Sequence, residues 1–253
     1  MVWQFGRNPI IVTLFIVANL VNVVFAEDLF AENNINDLLP IKNHTKEHKQ
    51  DRIVKEELPL SSEEQASINY AKGIELLKKS QEVEAAVLFK KILEELPKYH
   101  KARIQLIQLY QKIGWLDEVE KLLQAGLDLV PDHEDFIKNL AFIYNQKSQP
   151  RKALSILLTM PEQNSQQIDY ISLLALSYLN VDQADMAEKY YQQLLTFNKE
   201  NPIWWLGLAV AQDAGGKYKN AITSFNQAKN LSRFNAETLD YINNKLEQIK
   251  QYY

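Results

Sequence analysis

Cysteine is absent from all 253 residues. The chain therefore forms no disulfide, and it offers no thiol for acylation behind an export signal, which excludes a bacterial lipoprotein. A strong charge of one sign is lacking too. Against 32 acidic residues stand 28 basic ones, a net charge of −4, and no basic stripe is interleaved with aromatics, so nucleic acid is not an expected partner. No glycine-rich phosphate loop, nucleophile elbow or clustered carboxylate pair appears either.

What is present is a period. Ala85, Val119, Ala153, Ala187 and Ala221 stand 34 residues apart. The same interval collects Phe89, Leu123, Leu157, Tyr191 and Phe225, then Leu76, Tyr110, Tyr144, Tyr178 and Gln212, and finally Gly73, Ile107, Ala141, Ala175 and Ala209. Columns of small residues mark places where two helix backbones cross closely, and columns of large residues fill the space around each crossing. A Trp in place of Ala141 or Ala175 is expected to overpack such a stack by about 1–3 kcal/mol or more. Between the paired helices fall Ser80, Gly114, Ser148, Asp182 and Gly216, types that tolerate left-handed backbone. Pro97 and Pro131 are placed to end second helices, which puts His100 and His133 at second-helix ends. Ser61 with Glu64, and Ser62 with Gln65, both have capping-box spacing, so the array begins near Ser62. At the other end Asn235 is placed to cap a last helix, 235–253, with Leu239, Ile242, Leu246 and Ile249 on one face.

Upstream of the array the composition changes. Residues 9–25 carry no charge, Arg7 precedes them, and Val24 and Ala26 occupy the small-residue positions before Glu27. Residues 1–26 read as an export signal cleaved between Ala26 and Glu27, or as an uncleaved signal anchor, since about 17 apolar residues can just span a bilayer. Both readings place residues 27–253 outside the cytoplasm, either periplasmic or anchored in the inner membrane and facing the periplasm. Residues 27–60 read as a flexible charged linker, because 42–57 offer only Ile53 and Val54 for burial. Leu29, Phe30, Ile35, Leu38 and Leu39 just before that stretch allow a short partner-binding helix or loose packing near the membrane.

Within the linker, His44-Thr45-Lys46-Glu47-His48 has the spacing of inverted zinc peptidases, in which two histidines hold metal and a glutamate is the base. That chemistry needs a rigid helix and a third ligand, and a charged tether supplies neither. No metal, cofactor or catalytic residue is therefore expected, and the chain is read as a non-enzyme. Asn43-His44-Thr45 and Asn230-Leu231-Ser232 fit the glycosylation sequon, a triplet common by chance.

With its period, columns and turns, the chain resembles the tetratricopeptide-repeat family. The resemblance implies an all-α, right-handed solenoid of about five helical hairpins, framed at 66–99, 100–133, 134–167, 168–201 and 202–234 within 61–234, plus the C-terminal capping helix. First helices of such solenoids line a concave groove. The groove positions here are Ile104, Gln108, Gln111, Lys138, Phe142, Asn145, Leu176, Leu179, Leu206, Val210 and Asp213. Their mix of apolar and amide side chains suits an extended or helical peptide segment of a protein partner, although Leu176, Leu206 and Val210 also fit packing between repeats. Of adjacent Trp204 and Trp205, which point about 100° apart, Trp204 is the expected exposed anchor and Trp205 the core residue. Chaperone-binding members clamp a carboxylate with Lys and Asn. The matching positions are Tyr70, Ile74, Ile104, Gln105, Gln108 and Lys112, of which only Lys112 fits, so that clamp is absent.

More narrowly, Asn201-Pro202-Ile203-Trp204-Trp205-Leu206-Gly207-Leu208-Ala209, followed by Gly216, Ala221, Phe225 and Ala228, resembles the end of mannose-sensitive haemagglutinin pilus biogenesis proteins of the MshN type. That resemblance implies a non-enzymatic scaffold in the cell envelope, serving assembly of a type IV pilus or a related secretion complex. The alternative is an accessory subunit that positions a cell-wall enzyme. Membrane association is expected only through the N-terminal segment, and five repeats with a cap suffice for a stable monomer.

Overall fold

The computed structural model describes residues 60–161, 167–231 and 234–252. The leader with its Ala26/Glu27 cleavage position, the linker and the His44/His48 pair lie outside the described residues. Eleven α-helices and no strand make up what is described, as expected for an all-α chain. They fall into two compact units, 60–114 and 115–252.

The first unit holds α1 (Ser62–Lys78), α2 (Glu82–Glu95) and α3 (His100–Lys112). Of the two capping boxes open to the sequence, the fold uses the Ser61 box. The Ser61 hydroxyl accepts from the Glu64 N–H at 3.2 Å, and the Glu64 carboxylate accepts from the Ser61 N–H at 2.9 Å. α1 and α2 pair closely because Gly73 has no side chain. A Cβ there would lie 2.5 Å from the Phe89 ring, well inside contact distance. α2 stops at Glu95, two residues before Pro97, whose carbonyl accepts a 2.6 Å hydrogen bond from the Arg103 guanidinium. Lys112 at the end of α3 reaches back 2.5 Å to Glu82 at the start of α2.

The second unit runs through α4 (Leu116–Leu127), α5 (Glu134–Gln146), α6 (Pro150–Leu157), α7 (Ile168–Asn180), α8 (Ala184–Phe197), α9 (Pro202–Ala214), α10 (Tyr218–Leu231) and α11 (Ala236–Lys250). α5 pairs with α6, α7 with α8 and α9 with α10, and each second helix also packs against the next first helix or cap. α5, α7 and α9 adjoin in a row, with α7 touching both neighbours. Pro150 and Pro202 sit in first turns, where a missing N–H costs nothing. The small column Ala85, Val119, Ala153, Ala187 and Ala221 is wholly buried at 0 % exposure, and the large column beside it is buried as well.

All five turn residues adopt positive φ: 59° at Ser80, 77° at Gly114, 55° at Ser148, 61° at Asp182 and 70° at Gly216. The period thus extends to backbone conformation. Asn235 caps α11, its side-chain oxygen accepting from the Thr238 N–H at 2.9 Å, and Ile242 and Ile249 are buried beneath. His100 and His133 are placed differently from expectation. His100 is the first residue of α3 and His133 the N-cap residue of α5, stacked on Phe136 with ring centroids 3.9 Å apart. The second helices α2 and α4 close earlier, at Glu95 and Leu127, so both histidines open the following first helix.

Candidate protein-binding face

Within the first unit, Ile104, Gln108 and Gln111 lie on α3 and are half-buried. In the second unit the same frame positions fall on α5, α7 and α9, and their burial is different. Lys138, Phe142 and Asn145 on α5, Leu176 and Leu179 on α7, and Leu206 and Val210 on α9 are all buried, with Phe142 only 7 % exposed. Asp213 is half-buried.

Polar bridges join the first helices to one another. The Asn145 amide donates to the Ser177 hydroxyl at 2.9 Å, and the Asn180 amide donates to the Asn145 carbonyl at 3.3 Å. Lys138 donates to Asp169 at 2.5 Å and lies 3.4 Å from Asp135. Burial draws the Lys138 ammonium down, but the hydrogen bond and charge of Asp169, joined by Asp135, outweigh it and hold the group above the ordinary lysine range. At the other end of the row Lys245 of α11 donates to Asp213 at 2.7 Å. Each charge on this face therefore has a partner. What remains is an apolar row of Phe142, Leu176, Leu179, Leu206 and Val210, all buried, with amides at one edge.

Trp204 and Trp205 are both half-buried. The indole N–H of Trp205 donates to the Lys199 carbonyl at 2.7 Å, which holds that ring toward the α8–α9 connection. Lys112, the one residue fit for a carboxylate clamp, is already paired with Glu82.

One polar cluster was missed at the sequence level. Gln212 stands where Tyr110, Tyr144 and Tyr178 stand in their columns, and its amide donates to Glu188 at 3.1 Å while its oxygen accepts from Ser224 at 2.8 Å. Glu188 also accepts from Lys217 at 2.6 Å, and Lys217 bonds Asp185 at 2.7 Å. Those two carboxylates push the Lys217 ammonium upward. The amide that follows three tyrosines in this column was the available signal. Among the described residues no group of three or more His, Cys, Asp or Glu side chains is arranged to hold a metal ion, and no helix is long and apolar enough to cross a membrane.

Comparison with known proteins agrees with this architecture. The tetratricopeptide-repeat family model matches residues 76–132. No curated protein sequence matches the chain. Among solved structures, MamA from Desulfovibrio magneticus RS-1 is similar at a TM-score of 0.61 with 16 % identity, covering 68 % of this chain and 97 % of that one. YrrB, described as a tetratricopeptide-repeat protein with an unusual peptide-binding site, has a TM-score of 0.61 at 15 % identity, over 69 % of this chain and 90 % of its own. PilW, a widely conserved type IV pilus biogenesis factor, has a TM-score of 0.57 at 14 % identity, over 74 % and 91 %. Residues 76–132 carry the tetratricopeptide-repeat match, and the helical array around them has the tetratricopeptide-repeat fold.

Proposed function

We propose that the chain is a non-enzymatic scaffold of the cell envelope, which binds an extended or helical segment of a protein partner along the first-helix row. The observation that carries this reading is the apolar strip from Phe142 to Val210, in which every neighbouring charge is already paired. A strip of that kind offers burial and backbone-spaced amides without a counter-ion for charged ligands. The uncharged run 9–25 ahead of Glu27 supports export or anchoring, with residues 27–253 on the periplasmic side. The similarity in fold to PilW, together with the Asn201–Ala209 motif, favours a partner in type IV pilus or related secretion assembly.

The test is partner capture. Crosslinking in cells followed by stringent purification is expected to recover envelope assembly proteins with the native chain, and Phe142→Arg is expected to lose them. Circular dichroism must find the variant's helicity intact, and Trp204→Ala serves as a milder companion change. Undiminished capture by Phe142→Arg would sink the assignment of this face.

A further inference from the structure

α2 turns Ala85, Phe89 and Ile92 inward, and all three are wholly buried. On the opposite side of the helix, one turn apart, stand Val83 and Val87, 76 % and 61 % exposed. The 34-residue frame sets this face apart from the outer surface of every other second helix. Val83 shares its column with Asp117, Arg151, Asp185 and Lys219, and Val87 shares its own with Lys121, Ser155, Lys189 and Thr223. All eight are exposed. Four second helices thus carry charged or hydroxyl side chains at the two positions where α2 carries valine. A valine is stiff at χ1 and weakens a helix slightly, and two of them in water have no packing to offset that cost. The α2 face is shaped for a contact.

The charges beside the valines say with what. Glu84 and Lys91 lie on one flank of the pair, seven residues and about 10 Å apart along the axis, and their midpoint falls at Val87. Opposite charges so placed on one flank are self-complementary. When a second α2 lies antiparallel, with a two-fold axis beside Val87, each Glu84 meets Lys91 of the other copy and the two Val87 side chains meet each other. Val83 then packs under the aliphatic stem of Lys90 from the second copy. Both charges are available for this. Glu84 makes no ion pair among the described residues, and Lys91 has only Glu95 at 3.9 Å, an exposed contact that leaves the ammonium able to take a second carboxylate.

We propose that the outer face of α2 is a homodimer contact, through which two copies of this chain meet by antiparallel α2 helices around Val83 and Val87. One helix against one helix buries less than the ~1,200–2,000 Å² of a stable complex, so dimer and monomer exchange with concentration. The contact uses no residue of the first-helix row, and it stands or falls independently of the function proposed above.

Because the chain has no cysteine, an introduced thiol reports on the two-fold axis. Purified full-length chain carrying Val87→Cys, oxidised in mild detergent, is expected to form a disulfide-linked dimer. Thr223→Cys, at the same frame position of α10 and also exposed, is expected to form it at least about tenfold more slowly, since an unspecific collision lacks the oriented contact. Glu84→Lys added to Val87→Cys sets two lysine pairs against each other and is expected to slow the reaction by about tenfold, and Lys91→Glu added in turn is expected to restore it. With the two charge changes on separate chains of different tag, each also bearing Val87→Cys, mixed dimers are expected to form ahead of like ones. Equal rates for Val87→Cys and Thr223→Cys would overturn the proposal, as would a rate indifferent to Glu84→Lys or a mixture without preference for the mixed dimer. All these changes are at exposed positions, and recovery in the double charge exchange separates a lost contact from a lost fold.

Discussion

Ser80, Ser148 and Asp182 hold left-handed backbone at turns where Gly114 and Gly216 do so without a Cβ. Ser148→Gly is therefore expected to raise stability by about 0.5–1 kcal/mol, part of the relief being offset by the greater freedom of glycine in the unfolded chain; urea unfolding measures it. Gly207 is the opposite case. A Cβ there would stand 2.3 Å from the Tyr191 ring, so Gly207→Ala is expected to cost about 1–3 kcal/mol, and Tyr191→Leu should make the alanine tolerable. Tyr191 also buries a hydroxyl with no hydrogen-bond partner among the described residues, and burial pushes its ionisation upward. Tyr191→Phe should accordingly stabilise by about 1 kcal/mol, since an unsatisfied hydroxyl is removed and the ring is kept. The turn residues were legible in the sequence because Ser, Asp and Gly tolerate left-handed backbone for local reasons. The Tyr191 hydroxyl was not, because its isolation depends on everything packed around it.

At the scale of elements, the hairpins are unequal. α6 has 8 residues, from Pro150 to Leu157, against 14 each for α8 and α10. Two turns protect few amides, so hydrogen exchange in α6 is expected to outpace that in α8, measured in one experiment on the intact chain. The closing helix depends on its cap. Asn235→Ala removes the bond to the Thr238 N–H and should cost about 1 kcal/mol, seen as earlier exchange in α11 than in α10. Cap residues and helix-opening prolines could be read in advance, since each acts within its own first turn. The placement of His100 and His133 could not, because it depended on where α2 and α4 stopped rather than on the 34-residue frame.

Across the whole molecule, lysines follow the repeat. Lys112 pairs with Glu82, Lys147 with Asp117 and Glu120, Lys217 with Asp185 and Glu188, each linking the end of one first helix to the start of the second helix before it. Lys112–Glu82 and the Asp117 and Asp185 ends of the others are exposed, where screening keeps their worth small, while Glu120 and Glu188 are largely buried. Lys138 is the most buried of the paired lysines, with its side chain 10 % exposed against Asp169. Its folded pKa lies above the unfolded value, so the folded state binds the extra proton. The stability it confers is complete below the ordinary lysine value of ~10.4 and is lost as pH rises through the folded value. Thermal melts between about pH 9 and 12 should decline more steeply for the native chain than for Lys138→Met. By itself the sequence determined the helical hairpins, their period, their turns and their caps, because each rests on residue size, backbone tolerance or a hydrogen bond within a few positions. Only the tertiary structure decided that Lys138 meets Asp169, that Gln212 meets Glu188 and Ser224, and that Phe142 and Leu176 are covered. Those outcomes depend on which side chains distant in sequence come together, and a period fixes the columns of a face without saying which partners they meet.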